Sequence, residues 1–172
     1  MGLTPLEGLI MGTRCGDLDP AIIFYLVRET GLSSGEIETI LNKESGLKGI
    51  CGANDMRTVG ELAAGGDSEA QLAISMYCYR IKKYIGAYYA VLGPLDALIF
   101  TGGIGEHASF IREGCCAGLA HLGLELDQKK NRGLRDGDAA LESIDSRVKI
   151  LVIPTNEELE IAEQTIACLD AK

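Results

Sequence analysis

Two short apolar runs, LDALIF (95–100) and RVKILVIP (147–154), constrain the fold more than any other feature of the chain. Each is rich in branched or apolar residues, has strand length, and runs into a segment compatible with a helix. The rest of the sequence reads as five or more helices, with LELD (124–127) a possible third strand. The chain is therefore mixed α/β, a small sheet flanked by helices. So few strands for so many helices predicts that part of the sheet lies outside this sequence.

Capping chemistry marks several helix ends. In GDLDPAIIFYLVRETG (16–31), Asp19 can cap, Pro20 suits the first helical position and Gly31 the left-handed stop, with Ile22, Ile23, Leu26 and Val27 facing inward. In LSSGEIETILNKESG (32–46), Ser33 and Glu36 have capping-box spacing, and Leu32 and Ile37 are placed as a hydrophobic staple. MRTVGELAAGG (56–66) predicts a short helix. After it, Asp67 or Ser68 starts a long one in which Ile74, Tyr77, Ile81, Tyr84, Ile85, Tyr88 and Val91 recur every three to four residues until Gly93-Pro94. A further helix begins near Ser109. The polar stretch 128–146 reads as loop or weak edge structure.

At 172 residues the chain has the length of one globular domain. The net charge of −9 argues against a nucleic-acid or anionic-membrane surface. A phosphorylated ligand stays open, given local arginines and a divalent cation. No apolar segment has membrane-spanning length and no secretory leader is recognisable, so a cytoplasmic location is expected. The six cysteines form no CxxC pair, which favours packed, reduced thiols over disulfides or zinc.

Four segments carry candidate chemistry. In FTGGIGEH (100–107), the glycines at 102, 103 and 105 can bare backbone amides to an anion at a helix start; the same residues also make an ordinary strand-to-helix turn. The spacing matches neither GxGxxG nor GxxxxGK[ST]. In IPTNEELEIAEQT (153–165), Thr155 and Glu158 have capping-box spacing, which leaves Glu157 free to hold Mg²⁺ or simply to favour the helix dipole. In MGTRCGDLDP (11–20), Arg14 can project toward a phosphoryl group. In CGANDMRTV (51–59), Asp55 and Arg57 sit where they can meet a ribose or phosphate, although isolated residues of these types are usually solvated.

In this order the segments resemble the acetate kinase family, within the acetate and sugar kinase, Hsp70 and actin superfamily. The resemblance runs from MGLTPLEGLIMGTRCGDLDPAI through NKESGLKGICGANDMR and YRIKKYIGAYYAVL to ALIFTGGIGEH and VIPTNEELEIA, nearly the whole chain. It implies a partial ribonuclease H-like (actin-like ATPase) lobe: a single, incomplete C-terminal nucleotide-binding domain over residues 1–172. Several strands and the entire N-terminal lobe, with the acetate pocket, would lie outside the sequence, because MGLTPLEG is an internal motif in the family.

The resemblance also implies site residues. Arg14 stands in the GTR motif whose arginine stabilises the transferring phosphoryl group. Asp55, Met56 and Arg57 match the DFR-like nucleotide segment, with Met56 in place of the common aromatic. Gly103, Ile104, Gly105, Glu106 and His107 match the GIGEN loop that contacts nucleotide phosphates, His107 standing where the pattern has Asn. Arg112, with Ile111, would flank the adenine or ribose. Glu157 matches the magnesium-associated Glu of TNEE. The implied reaction is reversible, Mg²⁺-dependent phosphoryl transfer from ATP to acetate, giving acetyl phosphate and ADP, in a homodimer. The isolated chain is expected to be inactive. The alternatives are the same portion of a propionate or butyrate kinase, or a non-catalytic nucleotide-binding or dimerisation domain built on the Tyr-rich helix.

Overall fold

The computed structural model describes residues 2–170, which form two compact units meeting in sequence at Pro94 and Leu95. The first unit is helical. Its elements are α1 (Ala21–Thr30), α2 (Ser34–Thr39), a π-helical turn (Ile40–Glu44), α3 (Gly46–Cys51), α4 (Met56–Ala64) and α5 (Ser68–Leu92).

The caps form largely where the sequence puts them. Ser33 and Glu36 complete the capping box, the Ser33 amide donating to Glu36 Oε2 at 2.8 Å. Asp67 caps α5 through the Ala70 amide, and Gly31 ends α1 at φ 70°. α3 and α4 pack on α5, burying Leu47, Val59, Ala70, Ala73, Cys78 and Ile85. Side chains such as Leu47 and Val59, 1% and 0% exposed, each contribute about 1.5–3 kcal/mol by leaving water.

Two helices depart from expectation. The stripe on α1 is not an inward face: Ile22 and Val27 are each 42% exposed, because α1 packs against α2, which at six residues is too short to cover it. The helix from Ser34 widens into the π turn at Ile40–Glu44. There the Leu41 and Asn42 carbonyls accept the Cys15 amide at 3.1 Å and the Thr13 hydroxyl at 2.9 Å, so an outside loop takes up the helix's acceptors.

The second unit holds the sheet. Its elements are β1 (Ala97–Phe100), α6 (Gly102–His107), α7 (Ser109–Cys116), a 3₁₀ turn (Ala120–Leu122), α8 (Gln128–Gly133), β2 (Ala139–Ala140), β3 (Lys149–Val152) and α9 (Glu157–Asp170). Strand order is β1-β3-β2, with β1 and β3 parallel and β2 antiparallel to β3. The expected strand at 124–127 reduces to one bridge between Leu126 and Glu142. Ile150 and Val152 point into a core shared with Phe100, Ile111, Cys115, Leu124 and Leu141. The parallel register sets Phe100 beside Val152, so both strands end at the same edge of the sheet. The segments that follow them, 101–107 and 153–157, therefore start side by side. No helix among the described residues is long and apolar enough to cross a membrane.

Candidate functional site

In the second unit the glycine segment folds as a single helical turn, α6, immediately after β1. Gly102 takes φ 70°, a left-handed conformation that a side chain would strain, and it is the residue at which the chain turns from strand to helix. Gly105 packs on β1: a Cβ there would lie 3.2 Å from the Phe100 carbonyl carbon. Gly103 is different, since a Cβ at this position would meet nothing within 4 Å. Thr101 makes no side-chain cap, so the first-turn amides of α6, which have no partner within the helix, are left uncapped. Uncapped amides beside an open glycine have the composition of an anion cradle.

Two side chains fix this turn. Glu106 accepts the Thr155 amide at 3.1 Å and the Thr155 hydroxyl at 3.4 Å. The expected Thr155–Glu158 capping box is thereby corrected: the Thr155 amide is spent on Glu106, and Asn156 caps α9 by accepting the Leu159 amide at 3.0 Å. Glu157 and Glu158 open α9 on an exposed surface.

Arg112 is the second brace and the larger surprise. Placed by the resemblance beside a nucleotide, it is instead 1% exposed. Nη1 donates to the Gly105 and Glu106 carbonyls at 2.8 and 2.7 Å, Nε to Asn131 Oδ1 at 2.7 Å and Nη2 to the Asn131 carbonyl at 3.1 Å. The guanidinium thus lies against the C-terminal carbonyls of both α6 and α8, where helix dipoles favour a cation. Burial lowers its pKa from the ordinary value. Asn131, 0% exposed, also donates to the Ser109 carbonyl at 2.9 Å. Sequence reasoning missed Asn131, which lies in a polar stretch with no motif around it.

His107 is exposed at the end of α6. With Glu106, Leu134, Asp136, Val152 and Pro154 it lines a cavity of about 170 Å³ at the sheet edge. Ile104 is half-buried.

In the first unit Arg14 sits on a loop whose backbone is heavily tied. The Ser45 amide donates to the Thr13 carbonyl at 3.0 Å, Lys48 to Gly12 at 2.9 Å and Leu47 to Met11 at 3.0 Å. Gly46, at φ 64°, is required there, because any Cβ would collide with the Met11 carbonyl. The half-buried Arg14 side chain touches Met11 Sδ at 3.8 Å, and no carboxylate pairs with it among the described residues. Gly12 meets the Asn54 carbonyl so closely that a Cβ would lie 2.6 Å from it, which brings the Arg14 loop against the turn before Asp55.

Asp55 is the N-cap of α4 and accepts the Arg57 amide at 2.8 Å. It also holds the Arg57 side chain with a fork, Nε to Oδ1 at 3.0 Å and Nη2 to Oδ2 at 2.6 Å. The Arg57 hydrogen bonds pull the Asp55 carboxyl down to about 2. Met56 turns inward and is 5% exposed, a core residue rather than a surface contact. The structure thus gathers the predicted residues into two clusters, Arg14 with Asp55 and Arg57 in one unit, and Gly103–His107, Arg112 and Glu157 in the other.

A small mixed sheet flanked by helices, its parallel strand pair leading into an uncapped glycine turn and a carboxylate-bearing helix start, makes the second unit an α/β fold. The chain belongs to the acetokinase family, whose model matches residues 1–163. It is 62% identical over 166 residues to the acetate kinase of Syntrophobacter fumaroxidans, covering 96% of this chain and 40% of that protein. Its fold is similar to the crystal structure of Porphyromonas gingivalis acetate kinase at TM-score 0.92 and 42% identity, over 98% of this chain and 43% of that one. It is also similar to a propionate kinase from Francisella tularensis at TM-score 0.88 and 51% identity, over 94% and 41%. The chain spans about 40% of the length of the curated relatives it matches.

Proposed function

We propose that this chain is the nucleotide-binding side of a cytoplasmic acetate kinase, which transfers the γ-phosphoryl group of ATP reversibly to acetate. The observation that carries the reading is the uncapped α6 turn with open Gly103, held by Glu106 beside the segment that bears Glu157. In this reading the amides around Gly103–Gly105 receive nucleotide phosphate, Asp55 and Arg57 are nucleotide-binding residues of the first unit, and Arg14 stabilises charge on the transferring group. Arg112 serves by holding the turn in shape rather than by touching the nucleotide.

Among the described residues no three His, Cys, Asp or Glu side chains gather as a ready metal cage. A cation here would be held by one carboxylate, Glu157, together with waters and phosphate oxygens, the usual habit of Mg²⁺. The ion would neutralise developing phosphate charge.

Phosphoryl transfer needs water excluded by closure around the reactants, and in this reading the acceptor pocket belongs to the part of the relatives' length that this chain does not span. The chain alone is therefore expected to bind MgADP without turning over. A coupled assay of acetyl phosphate formation on this chain and on the S. fumaroxidans enzyme, with MgADP calorimetry, decides it: comparable turnover, or no nucleotide binding, overturns the reading. Similarity to a propionate kinase supports propionate as a second acceptor, to be compared in the same assay. The homodimer is assigned to the exposed end of α5, with Tyr88, Val91 and Leu92 57–79% exposed, and light scattering tests it.

A further inference from the structure

Residues 8–17 close on themselves. The Asp17 amide donates to the Gly8 carbonyl at 3.0 Å, and the Gly8 amide donates to Asp17 Oδ1 at 2.6 Å, which joins the two ends of the loop into a neck. Two residues of α5 then grip that neck. Tyr84 donates its hydroxyl to Asp17 Oδ2 at 2.6 Å. Arg80, four residues earlier and on the same face of the helix, donates through Nη1 to the Gly8 carbonyl at 3.1 Å and through Nη2 to the Asp17 carbonyl at 3.0 Å. Its Nη1 also lies 3.6 Å from Asp17 Oδ2. The planar fork of one arginine therefore spans both strands of the neck, which a lysine ammonium cannot do.

The far side of the loop is fastened to the π turn and α3 through Thr13, Cys15 and Met11, but among the described residues the Arg14 side chain itself has only the sulfur contact with Met11 to direct it. Its aim is set by the frame of the loop. From this geometry we infer that Asp17, Arg80 and Tyr84 are positioning residues, which fix the neck of the loop on α5 and so hold Arg14 in line with the phosphoryl group. None of the three touches substrate in this scheme. The inference rests on the reading of Arg14 given above. The Tyr84–Asp17 hydrogen bond pushes the Tyr84 hydroxyl pKa up and draws the Asp17 carboxyl pKa down.

The test has two readouts. Amide hydrogen exchange on the 172-residue chain itself compares the parent with D17A, Y84F, D17N and R14A. D17A removes both acceptors and is expected to speed exchange over residues 9–16 by about tenfold or more while α4 is unchanged; Y84F acts in the same direction and less. D17N keeps an acceptor for the Gly8 amide and is expected to restore most of the protection, and R14A to leave it untouched. Turnover is read with this chain replacing the matching portion of the S. fumaroxidans enzyme. There D17A is expected to lower kcat about tenfold or more with the nucleotide KM within about twofold, as misaimed rather than lost binding groups do. Unchanged exchange in both D17A and Y84F overturns the clamp, as does a kcat that falls in R14A and not in D17A. A kcat unaffected by R14A sinks the assigned role of Arg14 instead, while the exchange data still judge the clamp on their own.

Discussion

The Glu106 carboxylate accepts the Thr155 amide at 3.1 Å and so ties the turn after β1 to the segment after β3. The bond is exposed, and its net contribution to stability is at most about 1 kcal/mol. Its geometric role is larger, since it fixes the distance between the glycine turn and Glu157. Glu106→Ala is expected to leave the thermal midpoint nearly unchanged and to weaken MgADP binding, with Glu106→Gln, which still offers an acceptor, weakening it less. Calorimetry beside a melting curve separates the two effects. Equal affinity in all three proteins refutes the tie.

Arg112→Met tests the buried brace. Methionine fills much of the space but leaves the carbonyls of Gly105, Glu106 and Asn131 without their donor in the interior. Such a loss costs about 1–3 kcal/mol per unsatisfied site before relaxation, so the second unit is expected to lose a large part of its stability. Arg112→Lys rescues little, because one ammonium cannot reach carbonyls at the ends of two helices. Hydrogen exchange is expected to rise in residues 101–152 and to stay level in α3–α5. Uniform loosening of both units is the contrary result.

The parts of this fold that local chemistry dictates are the parts that can be read from the sequence. Ser33, Asp67 and Gly31 act within a few residues of themselves, and the apolar runs at β1 and β3 have strand length and composition, so these caps and the existence of both strands follow from the local sequence. Thr155 could not be assigned this way. Two carboxylates, Glu106 and Glu158, compete for its amide, and the parallel register that brings Glu106 near is invisible to a local pattern. Arg112 fails for the same reason. Its partners Gly105 and Asn131 lie 7 residues before and 19 after, and an arginine in a short helix ordinarily faces water. The family motif names these residues by spacing along the chain, while the partners that bury Arg112 and tie Glu106 to Thr155 arise only from the tertiary fold.

Asp55 predicts a pH dependence. Its folded pKa lies near 2, below the unfolded value of 3.8, so its contribution is complete above pH 3.8 and is lost as pH falls through about 2. Loosening of the α4 N-terminus is expected in that acid window, and Asp55→Asn should remove it. The same group reports on ligand: a nucleotide that recruits the Arg57 fork must take it from Asp55, whose carboxyl should then titrate nearer 3.8. Carboxyl NMR with and without saturating MgADP follows the shift. A midpoint unmoved by bound nucleotide means that Arg57 stays on Asp55.

The three glycines of the turn separate folding from binding. Gly102→Ala forces a side chain into a left-handed conformation and should destabilise the second unit by about 1 kcal/mol or more. Gly105→Ala presses a methyl group to 3.2 Å from the Phe100 carbonyl carbon, so β1 or α6 must shift and stability falls again. Gly103→Ala meets no protein atom within 4 Å and occupies a helical position where alanine is the better helix former. It should therefore fold at least as well as the parent. If the uncapped amides hold phosphate, the new methyl stands in the ligand's approach and MgADP binding drops by about tenfold or more, a loss of contact worth about 1.4 kcal/mol. Melting curves and calorimetry on the three variants give the pattern directly, and a Gly103→Ala protein that binds MgADP as the parent does removes the turn from the nucleotide site.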